Sequence, residues 1–517
     1  MPARRWRLRV ALAALAAALA GGLAWQRALP GRDDTFVTPA ADAAEPRFPA
    51  SFLWGVATAG TQIEVGQASD WAAFERDVLA HGRFAAGTAL GTTVPGHIRD
   101  FGRWSAQVRA AKTGFDTRHA ADLAQAAAMG INAFRISIEW ARLFPRAGMA
   151  QPSSAGIAYY RQLLAQMRRN HITPLVTLFH YVSPEWFFAP DATGRRGWER
   201  ADAMEHWQRY VTAVAENFVP DVTLWCTLNE PMVSLYNGYV EGSYPPLEQR
   251  ADIAAAAEVY AGLLRAHAIA YRTLHAVAAA RHADISVGIA QNINAFAPLR
   301  NGAPLDRLLA RYVDQGWNWD FPDAIASGRL RIANTAIDRE IPGLAGSQDF
   351  IGINYYMRVY VRGDVFHPDA PQILLHDPQA PAEPRNDLGW TVYPHGLYTT
   401  LARAAARYGK PVYILENGTA DAADDDRGRQ RYLAAHVREM WLALHQEKVD
   451  LRGYFHWSYI DNFEWTEGFD ARFGLVAVDY EHDFKRTPRP SAGLYAAIIG
   501  AGGWTADLAR RYPDAVP

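Results

Sequence analysis

Glu230 and Glu416 are the two side chains on which chemistry can begin. Glu230 stands near the end of Leu224–Pro231, an apolar run that stops abruptly in an amide, a carboxyl and a proline. Asn229 and Glu230 are therefore expected at the tip of a buried strand, where its ladder stops. Glu416 ends a second β-branched and aromatic run, Pro411–Gly418, just before the turn pair Asn417 and Gly418. Either glutamate alone is consistent with a solvated strand-end charge. Together they suit two-carboxylate chemistry, in which one acts as acid and base and the other as nucleophile or base.

The elements that must position them recur along the chain. From Phe52 onward a short β-rich run, a polar or aromatic tip and an amphipathic helix repeat. The runs are Phe52–Ala59, Ala133–Trp140, Pro174–His180, Val222–Glu230, Ile285–Asn292, Phe350–Tyr356, Val412–Glu416 and Gly453–Ile460. Helical periodicity fills the gaps over Asp116–Met129, Ser154–Arg169, Asp202–Phe218, Ile253–Ala280, Gly396–Tyr408 and Arg427–His445. Strands alternating with helices imply parallel pairing through right-handed crossovers, and eight such units close an α/β (β/α)8 barrel. Chemistry in that architecture collects where the strands end. The tips here carry Gln62 and Glu64, Glu139 and Trp140, His180, Asn229 and Glu230, Asn292, Asn354 with Tyr356, Glu416, and Trp457 with Asp461. Long segments after the first, fourth, sixth and eighth runs, Glu64–Phe115, Met232–Arg250, Met357–Trp390 and Asp461–Pro488, are expected to wall a deep pocket.

Composition narrows the partners. A chain of 517 residues, half hydrophobic and 12% aromatic, can build one large barrel with insertions or several smaller domains. With 52 basic against 54 acidic side chains and a net charge of −2, nothing points to nucleic acid. A single cysteine, Cys226, excludes an intramolecular disulfide and a thiolate metal cluster, and its apolar neighbours mark it as a small buried hydrophobe. Gly55–Gly60 lacks the spacing of a phosphate-binding turn, and no Walker, His-Glu-x-x-His or Cys-x-x-Cys sequence occurs. No nucleotide cofactor and no metal are expected.

The N-terminus reads as a separate element. Arg4, Arg5, Arg7 and Arg9 precede the uncharged, Ala/Leu-rich Val10–Trp25, the layout of an export signal over residues 1–25, with Ala18–Ala20 as a small-x-small cleavage site. At 16 residues the run lies at the short edge for a membrane span, an uncleaved anchor being the alternative. The protein is thus expected to be periplasmic or secreted, or held to the membrane through residues 10–25. Residues 26–47 read as a flexible tether, 48–500 as the barrel and 501–517 as a C-terminal tail.

With both glutamates placed, the chain from about Phe48 to Leu494 resembles glycoside hydrolase family 1, the β-glucosidase family. Thr227–Pro231 is similar to its acid/base motif and Ile414–Gly418 to its nucleophile motif, while Phe52–Glu64 and Trp457–Trp465 resemble its N-terminal signature and sugar-binding segment. The resemblance implies a retaining β-glycosidase acting on terminal, unphosphorylated β-D-glycosides. Its catalytic pair would be Glu230 as acid/base and Glu416 as nucleophile, with Arg135 and Tyr356 contacting the nucleophile. Gln62, His180, Asn229, Glu464 and Trp465 would hold the non-reducing sugar, with Trp457 as its platform. A transglycosidase working at the same site, or a catalytically silent sugar-binding homologue, are the alternatives. The chain departs from the family pattern at Tyr181, where Trp or His usually follows the histidine, and at Val65, where Gly is usual. Residues 65–115 are closer to archaeal-type members. These departures leave the aglycone side and the fine sugar preference open.

Overall fold

Eight runs of β-branched, aromatic and leucine residues form the strands β1 (Leu53–Ala57), β2 (Ala133–Ser137), β3 (Thr173–Phe179), β4 (Leu224–Asn229), β5 (Ser286–Pro298), β6 (Ile351–Arg362), β7 (Val412–Asn417) and β8 (Leu451–Trp457). All eight pair in parallel, β1 meets both β2 and β8, and β7 joins β6 to β8, so the sheet closes on itself as a barrel. Both faces of the barrel wall are covered. That is why these runs are continuously apolar and why β2, β4 and β7 are buried at every residue. The computed structural model describes residues 31–33, 47–81, 106–333, 335–364, 366 and 371–516.

Helices α1 (Phe115–Ala128), α2 (Ser154–Arg169), α3 (Ala203–Phe218), α4 (Ala257–Ala280), α5 (Asp320–Ser327), α6 (His395–Tyr408), α7 (Arg427–Gln446) and α8 (Pro490–Ala501) follow the eight strands in turn. Local chemistry sets their ends. The Ser153 hydroxyl accepts from the Gly156 N–H at the start of α2, and Gly409 stops α6 in a left-handed conformation at φ 60°. Along α3, Trp207, Tyr210, Val211 and Val214 recur at helical spacing, and all four are buried.

Two strands run further than their sequence suggests. β5 and β6 stay paired to Pro298 and Val361 instead of ending at Asn292 and Tyr356, and Gln372–Leu374 adds an antiparallel edge to β6. Met357, Val359 and Leu375 form a small apolar cluster there. The first part of the 357–390 insertion is therefore sheet that stands above the barrel rim, stabilised by a core of its own.

Residues 1–25, read as an export signal, and most of the stretch read as a tether lie outside the described residues, as do residues 82–105 of the first top-face insertion. Of that stretch, Gly31–Asp33 and Arg47 are described, and Gly31–Asp33 lie against the barrel. Arg32 pairs with Asp377 at 2.8 Å, and its N–H donates to Asn301 Oδ1. Among the described residues no helix is long and apolar enough to cross a membrane. At the other terminus Ala506–Arg511 is helical and capped by Thr505, and it buries Leu508, so the stretch read as a tail packs on the domain.

Candidate active site

Glu416 is the penultimate residue of β7, and its carboxylate is gripped from both sides. Oε1 accepts from Arg135 Nη1 at 2.7 Å, and Oε2 accepts from the Tyr356 hydroxyl at 2.6 Å. Arg135 projects from β2 with no solvent exposure, and its remaining donors reach Thr177, the Leu415 carbonyl and Asn229. Burial pushes the Glu416 carboxyl up to about 7, against the pull of Arg135, while the charge of Glu230 raises it further. The backbone beyond Glu416 admits only glycine at 418, because a Cβ there would come within 1.7 Å of the Trp457 carbonyl oxygen.

Glu230 follows β4 directly, and its backbone adopts a left-handed conformation at φ 43° that swings the side chain off the strand and into the pocket. Its Oε1 accepts from the amides of Asn292 at 3.1 Å and Asn354 at 2.8 Å, and its Oε2 accepts from the Tyr181 hydroxyl. A continuous chain of hydrogen bonds joins the two glutamates. It runs from Glu416 through Arg135 to Asn229 Oδ1, which also accepts from the Asn354 amide that reaches Glu230.

A polar surface flanks the pair. Asn229 Oδ1 accepts two donors, so its Nδ2 must be the atom facing His180 Nε2 at 3.1 Å. His180 then carries its proton on Nδ1. Burial and the Arg135 charge hold the ring well below the usual histidine range and hence neutral. The imidazole lies roughly parallel to the rings of Trp457 and Trp465, with ring centroids 6.0 and 5.9 Å away. Gln62, on the short helix Gly60–Ile63, spends its amide nitrogen on Asn462 Oδ1 and the Phe463 carbonyl, both at 2.8 Å. Glu464 accepts from Trp457 Nε1 at 3.0 Å, and burial pushes its carboxyl up to about 8. His180 Nδ1 and Gln62 Oε1 are buried with no hydrogen-bond partner. Buried polar atoms are ordinarily satisfied, so this donor and this acceptor are placed to take up ligand hydroxyls.

All ten residues expected at the site converge on this one region. Three charged strand-tip residues do not. Glu64 and Glu139 belong to a separate buried cluster with Arg142, Tyr160, Ser137 and Thr61, and Asp461 is tied to Arg472 and Arg489. Asn292 and Asn354 stood out only as strand tips, and Tyr181 only as a departure from the family pattern. Their contacts with Glu230 depend on register and backbone conformation, which no local motif encodes. The pocket is completed by apolar side chains, among them Val233, Trp317, Met357, Leu375, Leu388 and Phe473. Three of these, Met357, Leu375 and Leu388, come from the insertion after the sixth strand.

The family model described as "Glycosyl hydrolase family 1" matches residues 44–503. "Beta-glucosidase A" of Thermotoga maritima is 31% identical over 488 residues, which cover 88% of this chain and 98% of that protein. A "Beta-galactosidase" of Sulfolobus acidocaldarius is 31% identical over 427 residues, 74% of this chain and 83% of the other. Among solved structures, the beta-glycosidase from Pyrococcus horikoshii superposes with a TM-score of 0.76 at 35% identity, covering 92% of this chain and 99% of that one.

Proposed function

The chain belongs to glycosyl hydrolase family 1, and from that premise we propose that Glu416 and Glu230 are the nucleophile and the acid/base of a retaining β-glycosidase. The observation that carries this assignment is the asymmetry of the two carboxylates. Glu416 is held by a buried guanidinium and a phenol, which favour the charged form that a nucleophile needs. Glu230 is held by two amides on one oxygen, while its other oxygen meets the Tyr181 hydroxyl and is the one that can exchange a proton. Glu416 attacks the anomeric carbon through an oxocarbenium-like transition state while Glu230 protonates the leaving oxygen, and water then cleaves the glycosyl ester with Glu230 as base. Ester formation removes the Glu416 charge, and that loss favours ionised Glu230 for the second half of the cycle.

The substrate reading follows from the walls. The unpartnered His180 Nδ1–H and Gln62 Oε1, with Glu464, suit the hydroxyls of a terminal sugar, and Trp457 offers it a flat face. Among the described residues lining the pocket there is no lysine or arginine to pair with a 6-phosphate, in keeping with an unphosphorylated sugar. The apolar insertion residues Met357, Leu375 and Leu388 support an aryl or alkyl aglycone. Relatives named for glucoside and for galactoside cleavage flank the chain, so the preferred sugar is to be measured with a panel of aryl and alkyl β-glycosides. Product analysis with added alcohol separates hydrolysis from transglycosylation.

Azide rescue tests the roles. Glu416→Gly with azide should yield an α-glycosyl azide by one inversion, and Glu230→Ala with an activated substrate should yield a β-glycosyl azide by two. The same anomer from both, or an exchange of the two, overturns the assignment. We propose further that residues 1–25 direct export, since the family match begins only at residue 44. Cell fractionation with mass spectrometry of the mature N-terminus tests this. A cytoplasmic chain with an intact leader refutes it, and an intact leader in the membrane fraction identifies an anchor.

A further inference from the structure

We infer that Tyr181 is a positioning residue that tunes proton transfer by Glu230, donating its hydroxyl to the one carboxylate oxygen that carries the acid proton. This rests on the assignment of Glu230 as acid/base. The oxygen is identified by elimination. Asn292 Oδ1 accepts from Trp317 Nε1, a group that can only donate, at 2.9 Å and from Asn294 Nδ2 at 2.9 Å. The Asn292 amide must therefore present its nitrogen to Glu230 Oε1, where Asn354 donates as well. An oxygen already accepting two N–H donors has no room for a proton, so the proton resides on Oε2, the oxygen that Tyr181 touches.

The phenol is held where this requires. Tyr181 has a left-handed backbone at φ 69° and is buried, with its ring edge-on to Trp465 at 5.2 Å, to Tyr244 at 5.7 Å and to His180 at 5.1 Å. Burial and the nearby Glu230 and Glu416 charges hold the phenol well above its usual range, so it remains a donor throughout. While Oε2 bears its proton, the contact is an ordinary one. When the proton passes to the departing glycosidic oxygen, Oε2 becomes anionic and the same contact becomes a charge-assisted hydrogen bond. Tyr181 thereby makes Glu230 a stronger acid in the first step and a weaker base in the second. The other titratable or charged groups around Glu230 among the described residues are Glu416 on β7, Tyr356 on β6, Arg135 on β2, His180 after β3, Tyr244 after β4, and Glu464 and Glu467 after β8. None of these changes when the Tyr181 hydroxyl alone is removed.

The test is the pH profile of kcat/KM for Tyr181→Phe, measured with aryl β-glycosides of graded leaving-group acidity. The alkaline limb should move up by about one to two pH units. The loss in rate should be large for poor leaving groups and small for activated ones, because only the former need the acid. A purely structural role would instead lower the rate equally for every leaving group and leave the limb in place, and that result overturns the inference. Site-specific replacement of Tyr181 by 3-fluorotyrosine keeps the ring and strengthens the donor, and it should move the limb downward. An unmoved limb there refutes the proposal even if the Phe variant folds poorly. If Glu230→Ala gives the β-glycosyl azide while both Tyr181 variants leave the limb unmoved, this inference fails and the acid/base assignment survives. If azide rescue itself fails, the assignment falls first.

Discussion

Tyr356→Phe isolates one donor on Glu416, the proposed nucleophile. The ring sits edge-on to Trp390 at 5.8 Å and to Phe473 at 6.3 Å, contacts that phenylalanine keeps, so the substitution deletes only the hydroxyl that donates to Glu416 Oε2 at 2.6 Å. A hydrogen bond to a charged group contributes about 1.5–3 kcal/mol, and one pKa unit corresponds to about 1.36 kcal/mol. Removing it should raise the Glu416 carboxyl by about one to two units above a starting value already near about 7. The sign follows from the role: attack needs the ionised form, so activity is lost on the acid side and the acid limb of kcat/KM moves upward. At a fixed pH below that limb, the variant should lose about 10- to 100-fold. Initial rates with a nitrophenyl β-glucoside across the pH range measure the limb, and the thermal midpoint controls for folding. An acid limb that stays in place, or a uniform loss at every pH, would show that Tyr356 does not hold the charge on the nucleophile.

Glu464→Ala should lower kcat/KM by about 100-fold or more with an unchanged thermal midpoint, since a buried carboxyl that hydrogen-bonds sugar hydroxyls is lost from the pocket; undiminished turnover of β-glucosides would remove Glu464 from the sugar site. Gly418→Ala should cost about 1–3 kcal/mol of stability and most of the activity, because its Cβ would press on the Trp457 carbonyl at 1.7 Å, and a variant with wild-type melting and rates would contradict that crowding. Deleting residues 1–47 removes the Arg32–Asp377 pair, a partly exposed contact worth about 0–1 kcal/mol, and keeps Phe48 on Phe52 and Trp54. The shortened protein should remain soluble and fully active, and failure to fold would show that residues 1–47 stabilise the barrel.

Much of this site can be read from the chain because a closed parallel barrel leaves strong local traces. Val412–Asn417 is buried on both faces, so it appears as an unbroken apolar run, and the carboxyl that interrupts it marks the rim. The lengths of β5 and β6 were not readable. Past Asn292 and Tyr356 these strands leave the barrel and pair with each other, and that pairing depends on register between distant residues, which no local pattern encodes. The tautomer of His180 and the proton-bearing oxygen of Glu230 were invisible for a different reason. Each is decided by which amide atom faces which neighbour, through contacts such as Asn354 to Asn229 across 125 positions of sequence. Tyr181 is the sharpest case, since its spacing along the chain says nothing of the left-handed turn that carries its hydroxyl to Glu230.

The closure of the barrel between its first and last strands has a kinetic consequence. β1 completes its pairing only when β8 arrives, and the Gln62 amide meets Glu464 across 402 residues of chain. At a synthesis rate of about 5–20 residues per second, roughly 20–80 s separate the emergence of those two side chains. Throughout that interval β1 presents an unpaired edge, the kind of surface that chaperones shield. A nascent chain halted before β8 already holds Glu230 and Glu416, yet it has neither the closed ring nor the Trp457–Trp465 segment that would face the sugar. Catalysis therefore begins only when synthesis of the domain is nearly complete.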